Sequence, residues 1–287
     1  MKVLITGING FLGSKIAKAL SRDFEIIGLE SKESNLNRIS EENYKVYKIH
    51  QSLELLEQIF KKDNIFSVIH VATVYKKTNS LNDMIQTNIL LPVNLMELSV
   101  KYNCKLFINT DSFFTSLKKD YNYLTDYTHS KKQALFWLKQ IRSGSSFKLV
   151  NLKIFHMYGP NDRAEKFIST VFSKIKNNVP SIDLTPGDQA RDFVHVDDVA
   201  NAYKQLILNH IKLPKFKEYD LGTGVSHSIK KVVKLIKEQT SSKTKLNFGK
   251  LQYREGEVMN SKADISDLME LGWKPDIDIE DGLRTLS

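Results

Sequence analysis

The chain opens on Lys2-Val-Leu-Ile-Thr6-Gly7-Ile-Asn-Gly10-Phe11-Leu12-Gly13-Ser14, and no other stretch constrains the fold as much. Val3 to Thr6 is a short apolar run suited to a fully buried parallel strand, and Ser14 to Leu20 reads as a helix. Between them lie glycines at positions 7, 10 and 13. A strand, a glycine turn and a helix N-terminus together make an anion site, because backbone N–H groups and the helix dipole point at one spot. Gly7 allows the tight turn, Gly10 lets the backbone approach a phosphate, and Gly13 lets helix and strand pack closely. The spacing is one residue off the G-x-G-x-x-G pattern. The predicted occupant is the pyrophosphate of a dinucleotide, held by Gly7, Gly10, Phe11, Leu12 and Gly13.

A chain of 287 residues that is 41% hydrophobic can bury a large core in one or two domains. No apolar run is long enough to span a membrane, and the first residues read as a strand and not as a signal peptide. The single Cys104 fits a reducing compartment, so a cytoplasmic protein is expected. The net charge of +9 raises nucleic acid or an anionic membrane as partners. The lysines are scattered in pairs such as Lys61-Lys62 and Lys230-Lys231, without a dense block alternating with aromatics. They read as solvated surface, and neither nucleic acid, membrane nor metal is expected to bind.

Periodicity gives strands at Lys2–Thr6, Glu25–Leu29, Lys45–Ile49, Ser67–Val71, Lys105–Asn109 and Lys148–Phe155. Helices are predicted at Phe11–Ser21, Leu53–Lys61, Leu81–Tyr102 and Tyr127–Arg142. This alternation implies an α/β fold of the Rossmann type, a doubly wound parallel sheet covered on both faces. After Tyr158-Gly159-Pro160 shorter pieces follow, with helices near 165–177, 197–208 and 228–239. The expected division is a dinucleotide domain at 1–157 with a return segment at about 190–210, and an interleaved substrate lobe at 158–287. In such sheets ligands bind beyond the carboxyl ends of the strands.

Glu30 ends the second strand, where a carboxylate accepts hydrogen bonds from ribose hydroxyls and repels a 2′-phosphate. That favours NAD(H), while nearby Lys32 and Arg38 keep NADP(H) open. Ala72 offers a small surface against which the cofactor could lie. Tyr127 and Lys131 stand four apart on a predicted helix, so phenol and ammonium share a face. A nearby lysine is expected to lower the phenol's pKa toward the working range. Tyr44 and Lys48 have the same spacing in a predicted strand, which would separate their side chains by roughly 13 Å. Thr110, at the end of the fifth strand beside Asp111 and Ser112, is placed to hydrogen-bond a substrate carbonyl.

The glycine turn, Thr110 and Tyr127-x-x-x-Lys131, in this order, resemble the extended short-chain dehydrogenase/reductase family. The likeness continues through Tyr158-Gly-Pro160, Gln189-Ala-Arg191-Asp192-Phe193, Gly222-Thr-Gly224 and Leu271-Gly-Trp273-Lys-Pro275. More narrowly, Asn109–Phe114 and the run from Phe248 through Arg254 to Met259 are similar to reductases of nucleotide-linked 4-keto-6-deoxyhexoses. The resemblance implies Thr110, Tyr127 and Lys131 as catalytic residues, Lys131 also holding the nicotinamide ribose. It implies Arg191 and Arg254 as grips on the substrate diphosphate, as suits planar guanidinium groups. It puts Asp111, Ser112, His156, Phe167 and Phe248 near the substrate, His156 standing where relatives often carry Asn. A 4,6-dehydratase of this kind would carry Thr-Asp-Glu, and Ser112 in the third position disfavours elimination. The implied activity is NAD(P)H-dependent C4 ketone reduction on a nucleotide-diphosphate sugar, with CDP favoured and dTDP or GDP open, for bacterial surface polysaccharide. A 4-epimerase with retained NAD is the alternative, and a non-catalytic nucleotide- or RNA-binding protein a more distant one. A homodimer through the helices at 81–102 and 127–142 is also implied.

Overall fold

The computed structural model describes residues 1–40, 42–48, 52–75, 80–117, 124–142 and 147–286. The elements run β1 (Lys2–Thr6), α1 (Phe11–Leu20), β2 (Glu25–Glu30), β3 (Lys45–Lys48), α2 (Leu53–Lys62), β4 (Ile65–His70), α3 (Leu81–Ile85), α4 (Leu91–Lys101), β5 (Leu106–Ser112), α5 (Thr125–Arg142) and β6 (Lys148–Ile154). There follow β7 (His156–Tyr158), α6 (Phe167–Lys176), β8 (Ser181–Leu184), β9 (Ala190–Arg191), β10 (Phe193–His195), α7 (Val196–Leu208), β11 (Phe216–Leu221) and β12 (His227–Ser228). The last are α8 (Ile229–Gln239), β13 (Lys245–Phe248), β14 (Asn260–Ser261), α9 (Ser266–Glu270) and α10 (Ile279–Arg284).

The chain divides into two units, Met1–Ile154 with Ala200–Tyr219, and Phe155–Val199 with Asp220–Ser287. The returning segment therefore starts later than the 190–210 read from the sequence. In the first unit the sheet has the order β11-β6-β5-β4-β1-β2-β3. Neighbours from β3 across to β6 pair in parallel, as in a Rossmann-type doubly wound sheet. The order reverses beside β1, which places the carboxyl ends of β1, β2, β4 and β5 around one crevice. The apolar runs that made these strands legible are buried: Leu4, Ile27, Val68, Phe107 and Leu149 share one core with Leu56, Leu95 and Leu138.

Several boundaries differ from the sequence reading. The sixth strand stops at Ile154 and a separate β7 follows; Ile49 of the third lies outside the described residues. The helix expected at Leu81–Tyr102 is two helices joined by a π-turn at Gln86–Leu90, where the Leu91 N–H reaches back to Gln86 O. Pro92 follows at once in α4. Without an N–H it cannot continue the i→i−4 ladder, so the wider turn and the proline mark one irregularity.

The second unit holds smaller sheets, β10 with β7, β9 between β12 and β14, and β8 with β13. Its core gathers Tyr158, Ile168, Val171, Phe193, Val232 and Leu283. Two buried aspartates organise its loops. Asp192 accepts from the Thr223, Gly224 and Ala263 N–H groups at 2.7, 2.9 and 3.0 Å, fixing the Gly222-Thr-Gly224 turn. Asp198 accepts from the Asp276 and Ile277 N–H groups at 3.1 and 3.0 Å, and its carbonyl takes the Trp273 indole N–H at 3.1 Å. Those motif residues serve the fold. Among the described residues no helix is long and apolar enough to cross a membrane.

Candidate active site

β5 is buried along its whole length, and strand alternation turns Asn109 and Asp111 to one face, Thr110 and Ser112 to the other. Parallel register sets Asn151 of β6 opposite Asn109. Its side chain accepts from Asn109 Nδ2 at 2.7 Å and donates to Asp111 Oδ2 at 2.9 Å and Glu218 Oε2 at 3.0 Å. Asp111 also accepts from the Ser112 N–H at 2.7 Å and the Thr115 hydroxyl at 3.1 Å. Both Asp111 oxygens thus accept from the chain's own donors, which orients its neighbours on β5 and β6. Burial holds its carboxyl above the ordinary range.

Thr110 is fixed at two points. Its carbonyl accepts from Lys131 Nζ at 2.9 Å, and its hydroxyl lies 2.7 Å from the Tyr203 hydroxyl. On α5 the i, i+4 spacing sets Lys131 Nζ 5.9 Å from the centre of the Tyr127 ring. The Tyr127 phenol meets the hydroxyls of Tyr75 and Ser112. The Tyr75 ring stacks on it at 4.6 Å between centroids, tilted by 20°. Thr110, Tyr127 and Lys131 thus come together, as their places on β5 and α5 suggested. Tyr44 and Lys48 fall, as expected, before and within strand β3.

The electrostatics overturn one expectation. Burial first, then Tyr75 and the Asp111 charge, push the Tyr127 phenol well above its ordinary pKa. Burial takes Lys131 down to about 8, with Asp111 opposing. Burial outweighs whatever pull the Lys131 ammonium exerts on the phenol, and Nζ spends a hydrogen bond on Thr110 O. Burial thus favours the protonated phenol at Tyr127.

Three supports carry no motif by which a reading of the sequence finds them: Asn88, Tyr203 and Tyr75. Asn88, in the π-turn, accepts from the Val74 N–H at 2.8 Å, donates to Val74 O at 2.9 Å and to the Ser130 hydroxyl at 3.0 Å. It ties the loop carrying Tyr75 to the helix carrying Tyr127.

The glycine turn is built as a cradle. Gly7 has φ +64°, a conformation that L side chains rarely adopt, and a Cβ on Gly13 would meet Gly7 O at 2.1 Å. Gly10 is the N-cap of α1 and no side chain caps that end. Glu30 Oε1 accepts from the Asn9 N–H at 2.6 Å, and the Asn9 side chain accepts from the Arg38 N–H at 2.8 Å. Burial raises the Glu30 pKa. Ala72 Cα would lie 3.1 Å from a Cβ on Gly7, so turn and strand end are in close contact. A bare helix start with Phe11 and Leu12 in its first turn, a turn closed to side chains and a strand-end carboxylate fit a nicotinamide dinucleotide.

In the second unit Arg191 is largely buried and engaged. Its guanidinium donates to Ala190 O at 2.9 Å, to Val258 O, and pairs with the Glu257 carboxylate. His156 Nε2 lies 3.1 Å from the Ser261 hydroxyl, and burial beside Arg191 and Lys166 takes its pKa down to about 3, which keeps the imidazole neutral. β14 pairs with β9 so that Ser261 stands opposite Arg191. Arg254 is exposed in the turn before Glu257. Phe167 begins α6 and is 37% exposed, while Phe248 ends β13 under Lys230 Nζ, 5.5 Å from the ring centre.

Residues 3–222 match the NAD dependent epimerase/dehydratase family. A CDP-abequose synthase from Salmonella muenchen is 32% identical over 292 residues, covering 99% of this chain and 96% of its own. The crystal structure of a UDP-glucose 4-epimerase from Thermotoga maritima with UDP-glucose shares the fold, with a TM-score of 0.84 at 23% identity, covering 99% of this chain and 97% of that one. A UDP-glucose 4-epimerase from Thermus thermophilus in complex with NAD gives 0.79 at 22% identity, with coverage of 99% and 97%.

Proposed function

Because the chain belongs to the NAD-dependent epimerase/dehydratase family, we propose that it reduces the C4 ketone of a nucleotide-linked 4-keto-6-deoxy sugar. It is an oxidoreductase with a nicotinamide dinucleotide as cofactor. Glu30 at the end of β2 favours NADH over NADPH. CDP is the favoured carrier, after the CDP-abequose synthase that the chain resembles over its full length, and synthesis of a bacterial surface polysaccharide in the cytoplasm is the corresponding setting.

The observation that carries this reading is the convergence of Thr110, Lys131 and a neutral Tyr127. When bound, the reduced dinucleotide supplies a hydride for the ketone carbon. Tyr127 gives its proton to the ketone oxygen as charge gathers there. The Lys131 ammonium stabilises the tyrosinate left behind, and the Thr110 hydroxyl donates to the same oxygen. Arg191 and Arg254 anchor the diphosphate, so that binding energy remote from the ketone orients it. For Arg191 this requires exchanging Glu257 for the phosphates. Gly7 to Gly13, Glu30 and Ala72 hold the cofactor, while Ser112, Phe167 and Phe248 contribute to the sugar and base. Ser112 in place of a carboxylic acid supports reduction against elimination, since a serine hydroxyl is no base at neutral pH, and the full-length likeness to a CDP-abequose synthase supports it against epimerisation.

The test is a panel of CDP-, dTDP- and GDP-linked 4-keto-6-deoxy sugars with NADH and NADPH separately, following loss of reduced-cofactor absorbance. One-to-one consumption of cofactor and ketone is expected. Turnover without net cofactor consumption would make it an epimerase.

The exposed apolar residues Leu81, Ile85 and Leu90 before α4, with Phe136 and Trp137 of α5, support a homodimer through these helices. Light scattering of wild type and of Trp137→Glu should give a dimer and a monomer.

A further inference from the structure

Thr110 presents one proton and two lone pairs, and which of these faces the substrate depends on its partner inside the protein. That partner is the hydroxyl of Tyr203 on α7, 2.7 Å away, on a side chain that is 0% exposed. Among the described residues the Tyr203 hydroxyl has this one hydrogen-bond partner. If Thr110 donated to Tyr203, the phenol's own proton would be buried without an acceptor, and Thr110 would turn lone pairs toward an oxygen that is gaining negative charge. Both consequences are unfavourable. A phenol is also the better donor and the poorer acceptor of the two. The proton order is thus Tyr203 to Thr110, and Thr110 onward. Lys131 closes the other side of the residue by holding its carbonyl at 2.9 Å, so backbone and hydroxyl are both fixed.

We propose that Tyr203 is a positioning residue, which donates to Thr110 and so keeps the Thr110 proton directed at the reacting oxygen of the substrate. The proposal rests on the reductase reading above. Burial raises the Tyr203 phenol, so it remains a neutral donor throughout the working pH range. Donation into Thr110 Oγ also polarises the Thr110 O–H, strengthening what it gives onward.

The experiment is a double-mutant cycle on the full-length enzyme, with ketone-dependent NADH oxidation, KM for the sugar and NADH binding by fluorescence measured for each protein. Tyr203→Phe keeps the buried ring and removes only the hydroxyl. It is expected to lower kcat about ten-fold, with KM and NADH affinity roughly unchanged. In a Thr110→Val background the same change should have no further effect, because the residue it acts through is gone. Unaltered kcat in Tyr203→Phe, or equal fold-losses in both backgrounds, would overturn the proposal. A role confined to packing would lower thermal stability and the number of NADH sites without that non-additivity. If Tyr203→Phe does not fold, 3-fluorotyrosine at position 203 keeps the shape with a stronger donor; a rise in kcat supports the proposal and a fall overturns it. Wild-type turnover that is abolished in Tyr127→Phe yet indifferent to the Tyr203 hydroxyl sinks the proposal alone. A wild type inactive on the whole ketone panel sinks the reductase reading and the proposal with it.

Discussion

The proposed catalytic cluster of the first unit and the proposed diphosphate grip of the second are built in opposite ways. Around Thr110 the partners are fixed by the fold: Lys131 on the carbonyl, Tyr203 on the hydroxyl, Tyr75 against the Tyr127 ring. Around Arg191 the guanidinium is satisfied by its own chain, through two carbonyls and the Glu257 carboxylate. Chemistry needs donors fixed in advance, since reorganising them during the reaction would add to the barrier. Recognition of a charged diphosphate, the role proposed for Arg191, can tolerate an exchange, with the Glu257 carboxylate keeping the buried cation paired beforehand.

The contrast predicts where each substitution acts. Tyr127→Phe should lower kcat by about 10³-fold with cofactor affinity little changed. Retained turnover would break the assignment of the first unit. Arg191→Ala should raise KM for the nucleotide sugar roughly thirty-fold, about 2 kcal/mol of charge-assisted hydrogen bonding, and move kcat far less. An equal fall in kcat would erase the distinction between the two regions. Lys131, with a pKa of about 8, should give kcat a falling alkaline limb of about ten-fold per pH unit above that value, as the charge that stabilises the tyrosinate is lost. Lys131→Arg should move the limb upward. The same shift makes burying the charged lysine a cost to folding that is full below about pH 8 and fades as pH climbs toward 10.5, so this group's share of stability rises with pH. The smallest effect is expected for Glu257→Gln, which weakens the competitor for Arg191 and should lower KM about three-fold.

What the sequence disclosed were local relations. Gly7, Gly10 and Gly13 follow one another on a single turn, Tyr127 and Lys131 share a helix face, and Thr110 ends a strand whose apolar run is evident. Each needs only the period of its own element. The same reasoning separated Tyr127/Lys131 from Tyr44/Lys48, because equal spacing means different things on a helix and a strand. What stayed hidden were pairings set by the fold: Thr110 with Tyr203, 93 residues on, and Arg191 with Glu257, 66 residues on. The pKa direction at Tyr127 was missed for a related reason. Spacing predicts proximity to Lys131, but not that burial acts on both groups or that the Asp111 charge reaches them. Periodicity alone reads the π-turn carrying Asn88 as regular helix, and Pro92 does not dispel that reading, since prolines also occur in the first turn of helices.

The most direct measurement gives the enzyme a CDP-linked 4-keto-6-deoxy sugar with NADH deuterated at C4 of the nicotinamide, and locates the label in the product. Deuterium at the sugar C4, in amounts equal to the NADH oxidised and absent with Tyr127→Phe, is the predicted result. A converted sugar that carries no deuterium, with the NADH unspent, would contradict it.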